Sequence, residues 1–207
     1  MRNAMSKQKL TVIIVGGAVI VVVVVKIFLS LYAGQMDPSR MRVKGDLKAR
    51  VQIVEFIDFQ CPACADGAIK LRKIYALHPK DIRIEMKYFP LMAIHRHTMI
   101  ASTFAECAGR QGKFWPMHDL IVERQAQWKD LISAEGMFMQ FAREAGVEEG
   151  ALRRCLASPD VEETVMRDRD LGRSLGVRST PTYFINHKMV VGGKSLTDEL
   201  NQYFPSQ

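Results

Sequence analysis

The pattern of apolar and polar positions after residue 48 predicts a strand, a helix and a second strand. Residues 51–59 are almost continuously apolar, which is typical of a buried strand. Residues 62–77 have a helical pattern that ends at His78-Pro79. Residues 82–88 alternate between apolar and polar with a period of two, which predicts a half-buried strand.

The rest of the chain is predicted to be a helical block followed by a hairpin and a closing helix. Glycines and a proline punctuate residues 95–158, so this stretch forms several helices, and residues 161–175 form another. Residues 182–185 and 188–191 are predicted as short strands. A helix over 195–204 follows, with Ser195 or Thr197 as its cap. Without the helical block, βαβ and ββα units remain, which predicts an α/β fold with one mixed sheet and helices on both faces.

An apolar stretch near the N-terminus predicts a membrane anchor. Residues 11–33 contain one charge, Lys26, and as a helix they would be about 34 Å long, enough for a hydrocarbon core of about 30 Å. We therefore expect an N-terminal tail over 1–10 and a transmembrane helix over 11–33. The alternative is a cleaved signal peptide, but cleavage after Ala33 would place Leu31 where a small residue is required.

The remaining boundaries follow from composition. Residues 34–47 are polar and contain Pro38 and Gly45, which is typical of a tether. We expect one folded domain over 48–207, with a helical insertion over about 92–160.

The chain is basic, but its charges are not clustered. It has 29 Lys and Arg residues against 22 Asp and Glu residues, a net charge of +7. It lacks a dense basic block interleaved with aromatic residues, so we interpret the charge as a solvated surface and expect no nucleic-acid partner.

The most informative motif is Cys61-Pro62-Ala63-Cys64, directly after the strand over 51–59. Pro62 suits the first position of a helix, because the N–H that it lacks would be unbonded there. Cys61 then lies at the helix N-terminus, where the helix dipole favours a thiolate, the attacking species in disulfide exchange. The motif predicts a redox centre that needs no cofactor or metal. The alternatives are half of a metal site or two incidental buried cysteines.

Glu55 is a candidate proton-exchange group. It lies in the apolar strand and shares a face with Val51, Ile53 and Ile57, which predicts burial and a raised pKa. Such a carboxyl group can exchange a proton with a nearby thiol. The alternative is a side chain that faces solvent at the edge of the sheet.

Pro181 is expected at the start of the strand over 182–185, because a proline within a central strand would remove a ladder hydrogen bond. A cis Thr180–Pro181 bond would leave the Thr180 backbone beside the sulfurs, where it can pair with a bound peptide. An ordinary trans proline in a loop is the alternative.

Together, these features resemble the DsbA-like branch of the thioredoxin superfamily. The resemblance rests on Glu55, the Cys61–Cys64 motif, the helical insertion, the stretch 105–118 (AECAGRQGKFWPMH) and the stretch 176–182 (GVRSTPT). It covers roughly residues 48–205 and implies a thioredoxin-like fold with an inserted helical domain.

The resemblance also implies roles for individual residues. Cys61 would react with the client protein, Cys64 would resolve the mixed disulfide, and Glu55, Thr180 and Pro181 would match the acid and the cis-proline loop of the family. Cys107 and Cys155 would form a second, structural disulfide, the alternative being two unpaired buried cysteines.

The expected partners are reduced or unfolded client proteins and a membrane redox partner of the DsbB or VKOR kind. One departure concerns Ala63, which stands where the best-known DsbA proteins have a thiolate-stabilising histidine. We therefore expect a redox poise between those of thioredoxin and DsbA, and a reductase or isomerase is the alternative activity.

The expected location is the outer face of the membrane, with a single-pass anchor. Positive residues are more numerous after the apolar stretch than before it, which favours the opposite orientation. We nevertheless expect an extracytoplasmic, for example periplasmic, domain. The basic start of the chain resembles an export signal, and disulfide chemistry belongs in an oxidising compartment. A metal-binding carrier that uses Cys61, Cys64, His95 and His97 is the rival from another class.

Overall fold

A five-stranded mixed sheet forms the centre of the folded domain. The computed structural model describes residues 21–24 and 41–205. The sheet order is β1-β3-β2-β4-β5, and β2 and β3 are parallel while the other neighbours are antiparallel. The strands are β1 (Val43–Lys44), β2 (Val51–Ile57), β3 (Ile82–Tyr88), β4 (Thr182–Ile185) and β5 (Lys188–Val191).

Helices pack around this sheet, and most of them form the insertion between β3 and the last helix before β4. They are α1 (Pro62–Leu77), α2 (Thr98–Gly109), α3 (Phe114–Glu123), α4 (Gln125–Trp128), α5 (Glu135–Glu144), α6 (Glu149–Leu156), α7 (Pro159–Ser174) and α8 (Gly192–Tyr203). The insertion comprises α2 to α6, as the helical block predicted. The predicted α/β class with a mixed sheet is confirmed.

The chain divides into two units, residues 1–37 and 38–207, and the predicted anchor belongs to the first. Of the predicted span over 11–33, only residues 21–24 are described, and they are helical. None of the helices in the described ranges is long and apolar enough to cross a membrane. The anchor stays a prediction that falls largely outside the described residues.

The segment before β2 differs from its prediction. The expected tether over 34–47 includes β1, in which Val43 and Lys44 pair with Glu85 and Ile84 of β3. A two-residue strand at a sheet edge is too short to produce a periodic pattern, so the sequence predicted only a polar linker.

The start of the closing helix also differs. Helix α8 begins at Gly192, with Val191 as its cap, so neither Ser195 nor Thr197 caps it. Gly192 adopts a φ of 83° and donates its N–H to the carbonyl oxygen of Pro181 at 2.9 Å. This contact starts the helix immediately after β5, because glycine tolerates the left-handed conformation that the turn requires.

Arg42 holds the start of the domain against the insertion. Its side chain is 2% exposed, and its guanidinium group lies 2.6 Å from Glu106 Oε2 on α2 and 2.9 Å from Asp168 Oδ2 on α7. It also lies over the ring of Tyr88, 4.5 Å from the centroid. Two carboxylates and an aromatic face therefore compensate one buried cation.

A disulfide bond joins Cys107 on α2 to Cys155 on α6, with a Cα–Cα distance of 5.8 Å and a sequence separation of 48 residues. The pairing that the resemblance implied is thus present. It closes the insertion on itself, away from the cysteines of α1.

Replacing both Cys107 and Cys155 with alanine should lower the free energy of unfolding by about 4 kcal/mol, because the unfolded chain regains the entropy of an open loop. Urea denaturation of the variant and of the wild-type chain measures this difference. An unchanged midpoint and slope would contradict a stabilising role for the bond.

Replacing Arg42 with methionine should destabilise the domain by about 3–5 kcal/mol, because Glu106 and Asp168 would stay buried and lose their nearest cation, keeping only Arg110 at 3.5 Å and Lys87 at 3.7 Å. The control is Arg153→Met, since Arg153 pairs with Glu149 at the surface (63% and 44% exposed). That variant should lose at most about 1 kcal/mol. Equal losses in the two variants by urea denaturation would refute the assignment.

Candidate active site

Cys61 and Cys64 lie at the N-terminus of α1, just beyond the end of β2. Cys61 is the N-cap residue and Pro62 is the first helical residue, as predicted. The side chain of Gln125 on α4 donates hydrogen bonds to the carbonyl oxygens of Phe59 (2.7 Å) and Cys61 (3.0 Å). The insertion therefore fixes the loop that carries the first cysteine.

The two thiols are free and lie in different environments. Cys61 is 9% exposed, whereas Cys64 is fully buried. The Cys64 thiol donates a hydrogen bond to the Cys61 sulfur, and the backbone N–H groups of Cys64 and Ala63 donate to it as well. These donors outweigh burial and lower the pKa of Cys61 to about 6.

The pKa of Cys64 is shifted in the opposite direction. Burial raises its pKa well above 9.0, and the hydrogen bond that it gives to Cys61 adds to this rise. The backbone N–H of Asp58 donates to the Cys64 sulfur at 3.4 Å. At neutral pH the pair therefore consists of a reactive thiolate at Cys61 and a protected thiol at Cys64.

The loop before β4 brings a backbone carbonyl to the reactive sulfur. The Thr180–Pro181 peptide bond is cis, and Pro181 directly precedes β4. The Cys61 sulfur lies 3.6 Å from the carbonyl oxygen of Thr180, 119 residues away in sequence. The structure thus brings Thr180, Pro181 and the Cys61–Cys64 motif together.

Glu55 lies in the middle of β2, flanked by Met86 of β3 and Tyr183 of β4. It is 1% exposed. Burial raises its pKa, and the nearby His118 and Lys44 only partly oppose this rise. Glu55 is therefore the buried carboxyl group that the strand pattern predicted, and its environment favours the protonated form.

Tyr183 and Gly67 were not identified from the sequence. A Cβ atom at Gly67 on α1 would lie 2.2 Å from the hydroxyl oxygen of Tyr183, so only glycine leaves room for this phenol. Burial raises the pKa of Tyr183, and the neighbouring Glu55 and Cys64 add to the effect. A glycine three residues after Cys64 was the available signal, but it does not reveal which side chain fills the space.

Asp58, just before the Cys61–Cys64 motif, joins this part of the chain to the loop after β3. Its carboxylate accepts hydrogen bonds from the backbone N–H groups of Gln60 and Leu91, both at 2.7 Å, and lies 2.9 Å from His95 Nδ1. The loop after β3 is thereby held beside α1.

The two histidines of the metal-site alternative have separate partners. His95 contacts Asp58, and His97 Nε2 lies 2.7 Å from the carbonyl oxygen of Leu131. Within residues 21–24 and 41–205, no group of three or more His, Cys, Asp or Glu side chains is arranged to hold a metal ion. The described residues therefore give no support to a metal-binding carrier.

A surface cavity of about 350 Å³ lies next to Pro62. Its walls include Met92 and Ile94, which are 43% and 72% exposed. Among the many methionines of the chain, Met92 is thus one that the structure places beside the motif. The cavity is lined by Gln60, Pro62, Met92, Ala93, Ile94, His95, Arg96, Lys129 and Asp130.

Comparison with solved structures shows the fold. The chain resembles alpha-DsbA1 of Wolbachia pipientis with a TM-score of 0.68 and 19% identity, covering 78% of this chain and 87% of that one. It resembles oxidised BdbD of Bacillus subtilis with a TM-score of 0.67 and 20% identity, covering 78% and 91%.

Comparison with curated sequences gives relatives that are much longer. The Na(+)/H(+) antiporter NhaA 3 of Salinispora tropica is 30% identical over 151 residues, which are 73% of this chain and 22% of that protein. The chain thus spans less than a quarter of this relative.

A family model described as thioredoxin matches residues 38–203. The match includes the sheet, the insertion and every cysteine of the chain. With its DsbA-like fold, the chain belongs to the thioredoxin family.

Proposed function

We propose that this chain is a thiol:disulfide oxidoreductase that exchanges disulfides with client proteins. One observation carries the proposal, namely the opposite pKa shifts of Cys61 and Cys64 at the start of α1. A lowered pKa on the accessible sulfur makes it a good nucleophile and leaving group, and a raised pKa on the buried sulfur keeps it protonated.

In the oxidising direction, the reaction begins with a disulfide between Cys61 and Cys64. A client thiolate attacks the Cys61 sulfur, a client–Cys61 bond forms, the Cys61–Cys64 bond breaks, and Cys64 leaves as a thiolate that takes up a proton. A second client thiolate then attacks the client sulfur of the mixed disulfide and releases the Cys61 thiolate. The client loses two electrons, which remain on the Cys61 and Cys64 pair.

Glu55 is the proposed donor of the proton to Cys64. A thiolate is unfavourable in the buried position of Cys64, and burial raises the pKa of Glu55 and so favours its protonated form. In the reverse direction Glu55 takes the proton back as the disulfide closes.

The client is proposed to bind as an extended segment beside the motif. The Thr180 backbone next to the Cys61 sulfur offers hydrogen-bonding groups for such a segment. Exposed Met92 and Ile94 at the neighbouring cavity suit apolar side chains of an unfolded chain, because methionine adapts its shape to varied partners.

The cellular setting is part of the proposal. A membrane-anchored domain on the extracytoplasmic side would meet reduced clients in an oxidising compartment and assist their folding. A partner of the DsbB or VKOR kind would reoxidise it. A reductase is the second candidate, because a thiol with a pKa of about 6 suits either direction.

Replacing Cys61 with serine should abolish oxidation of a dithiol peptide, because no sulfur remains accessible to the client. Replacing Cys64 with serine should instead accumulate a mixed disulfide when Cys61 attacks a peptide that already contains a disulfide, since the resolving thiol is missing. Peptide oxidation and non-reducing mass measurement follow both effects. Wild-type rates in Cys61→Ser would refute the mechanism, and the Cys107/Cys155 double variant is the control for nonspecific loss of cysteine.

The reduction potential of the Cys61–Cys64 couple should lie between about −270 mV, as in thioredoxin, and about −120 mV, as in DsbA, and thiolate absorbance should titrate with a pKa of about 6. The lowered pKa stabilises the reduced protein fully above the ordinary thiol pKa of 9.0, and this stabilisation is lost progressively as the pH falls to about 6. Equilibration with glutathione measures the potential. A value at or below that of thioredoxin would favour the reductase over the oxidant.

A further inference from the structure

Three buried side chains beside the cysteines each have a polar atom that lacks a hydrogen-bond partner among the described residues. They are Glu55 Oε2 on β2, Tyr183 OH on β4 and His118 Nε2 on α3. Buried polar atoms are nearly always bonded, and the exceptions are often groups that exchange protons. Glu55 is the proton donor of the proposed function, and Tyr183 interacts with Glu55 and both cysteines, whereas His118 has no role in it.

His118 lies on α3 and is buried among aromatic side chains. It is 3% exposed, and its ring packs against Phe59 and Trp115 at centroid distances of 5.6 and 5.2 Å. Of the charged side chains that act on Glu55, His118 has the largest influence, ahead of Lys44. Its imidazole is therefore near enough to act electrostatically on the buried carboxyl group.

The other ring nitrogen of His118 contacts Asp119, a partly exposed side chain. Nδ1 lies 2.9 Å from Asp119 Oδ1. Burial opposes the ionisation of Asp119, but the hydrogen bond from His118 and the charges of Lys44 and Arg72 hold its pKa below the ordinary value. Because an ionised carboxylate only accepts, Nδ1 carries the ring proton in this state with free thiols, and Nε2 is the ring nitrogen without a hydrogen-bond partner among the described residues.

Asp119 reaches solvent. Its side chain is 31% exposed, and Oδ2 lies 3.4 Å from Arg72, which also pairs with Glu123. The charged groups that act on Glu55 are His118 and Asp119 of α3 and Lys44 of β1, and Glu55 in turn acts on Tyr183 of β4. Arg72 of α1 acts on Asp119, and Lys44 lies over the ring of Tyr75 of α1.

We propose that His118 and Asp119 form a proton exit that connects the buried carboxyl group of Glu55 to solvent. With the disulfide closed, the neutral ring carries its proton on Nε2. After Glu55 has given its proton to the Cys64 thiolate, the Nε2 proton passes to Glu55 and Nδ1 takes up a proton from solvent at the Asp119 side, which leaves the ring in the Nδ1–H form of the reduced chain. Closing the disulfide reverses both transfers. Without this route, the carboxylate would be enclosed between the sheet, α1 and α3. His118 acts through Glu55 and is a relay and positioning residue, and its role rests on the proposed function of Glu55.

The test measures how fast the carboxyl proton of Glu55 exchanges with the solvent. The full-length chain, oxidised and in detergent, is mixed rapidly into D₂O at mildly acid pH, and the infrared band of the protonated carboxyl group is followed, with Glu55→Gln identifying the band. In His118→Asn, which keeps a donor for Asp119 but cannot take up a proton, exchange should slow by about tenfold or more.

A purely structural role for His118 predicts the opposite direction, because a loosened site exchanges faster. Asp119→Asn should also slow the exchange, and it serves as the decisive variant if His118→Asn does not fold. The matched control is Glu123→Gln, which removes the other carboxylate on Arg72 without touching His118. Wild-type or faster exchange in the relay variants, or equal slowing in Glu123→Gln, would overturn the proposal.

The steady-state rate of peptide oxidation distinguishes a failure of this inference from a failure of the proposed function. With glutathione disulfide as the oxidant and a dithiol peptide as the client, His118→Asn should lower the steady-state rate and change its pH profile. A wild-type chain that does not oxidise the peptide would refute the proposed function, yet slow deuterium exchange in His118→Asn would still establish the exit. An active wild type with an unaffected His118→Asn profile would refute the relay alone.

Discussion

The hydrogen bond from the Cys64 thiol to the Cys61 sulfur is the interaction on which the site depends. It stabilises a thiolate on one sulfur and disfavours it on the other, so a symmetrical pair of cysteines becomes a directional couple. The end of β2 and the first turn of α1 set this geometry, and Gln125 of the insertion fixes the Cys61 backbone. The insertion therefore contributes directly to the redox site as well as enlarging the domain.

The second constraint is the cost of polar groups in the core. Glu55 and His118 are almost fully buried, and their environments disfavour charge on the carboxyl group. Such groups would be replaced by apolar residues if packing were the sole requirement. The proposed proton transfer between solvent and Cys64 through Asp119, His118 and Glu55 gives a chemical reason for them, since a thiolate is unfavourable in the buried position of Cys64.

Two stabilising contacts of the domain lie outside the redox site. The Cys107–Cys155 disulfide closes the insertion, and Arg42 joins the first residues of the domain to α2 and α7. Both devices connect elements that are distant in sequence. The redox couple can therefore change state at the end of α1 while the covalent and ionic links that hold the layers together stay unchanged.

Local sequence determined most of the elements and the chemistry of the motif. The bounds of α1, β3, β4 and β5 follow from periodicity and from turn residues, and the strand face that Glu55 shares with Val51, Ile53 and Ile57 predicted its burial. Only the tertiary structure decided which side chains surround these groups. Arg42 meets Glu106 across 64 residues, and the turn at Gly192 is set by a hydrogen bond to Pro181. Periodicity reports which face of an element is buried, but it contains no information about the partner on the opposing element, and those partners shift the pKa values of the site.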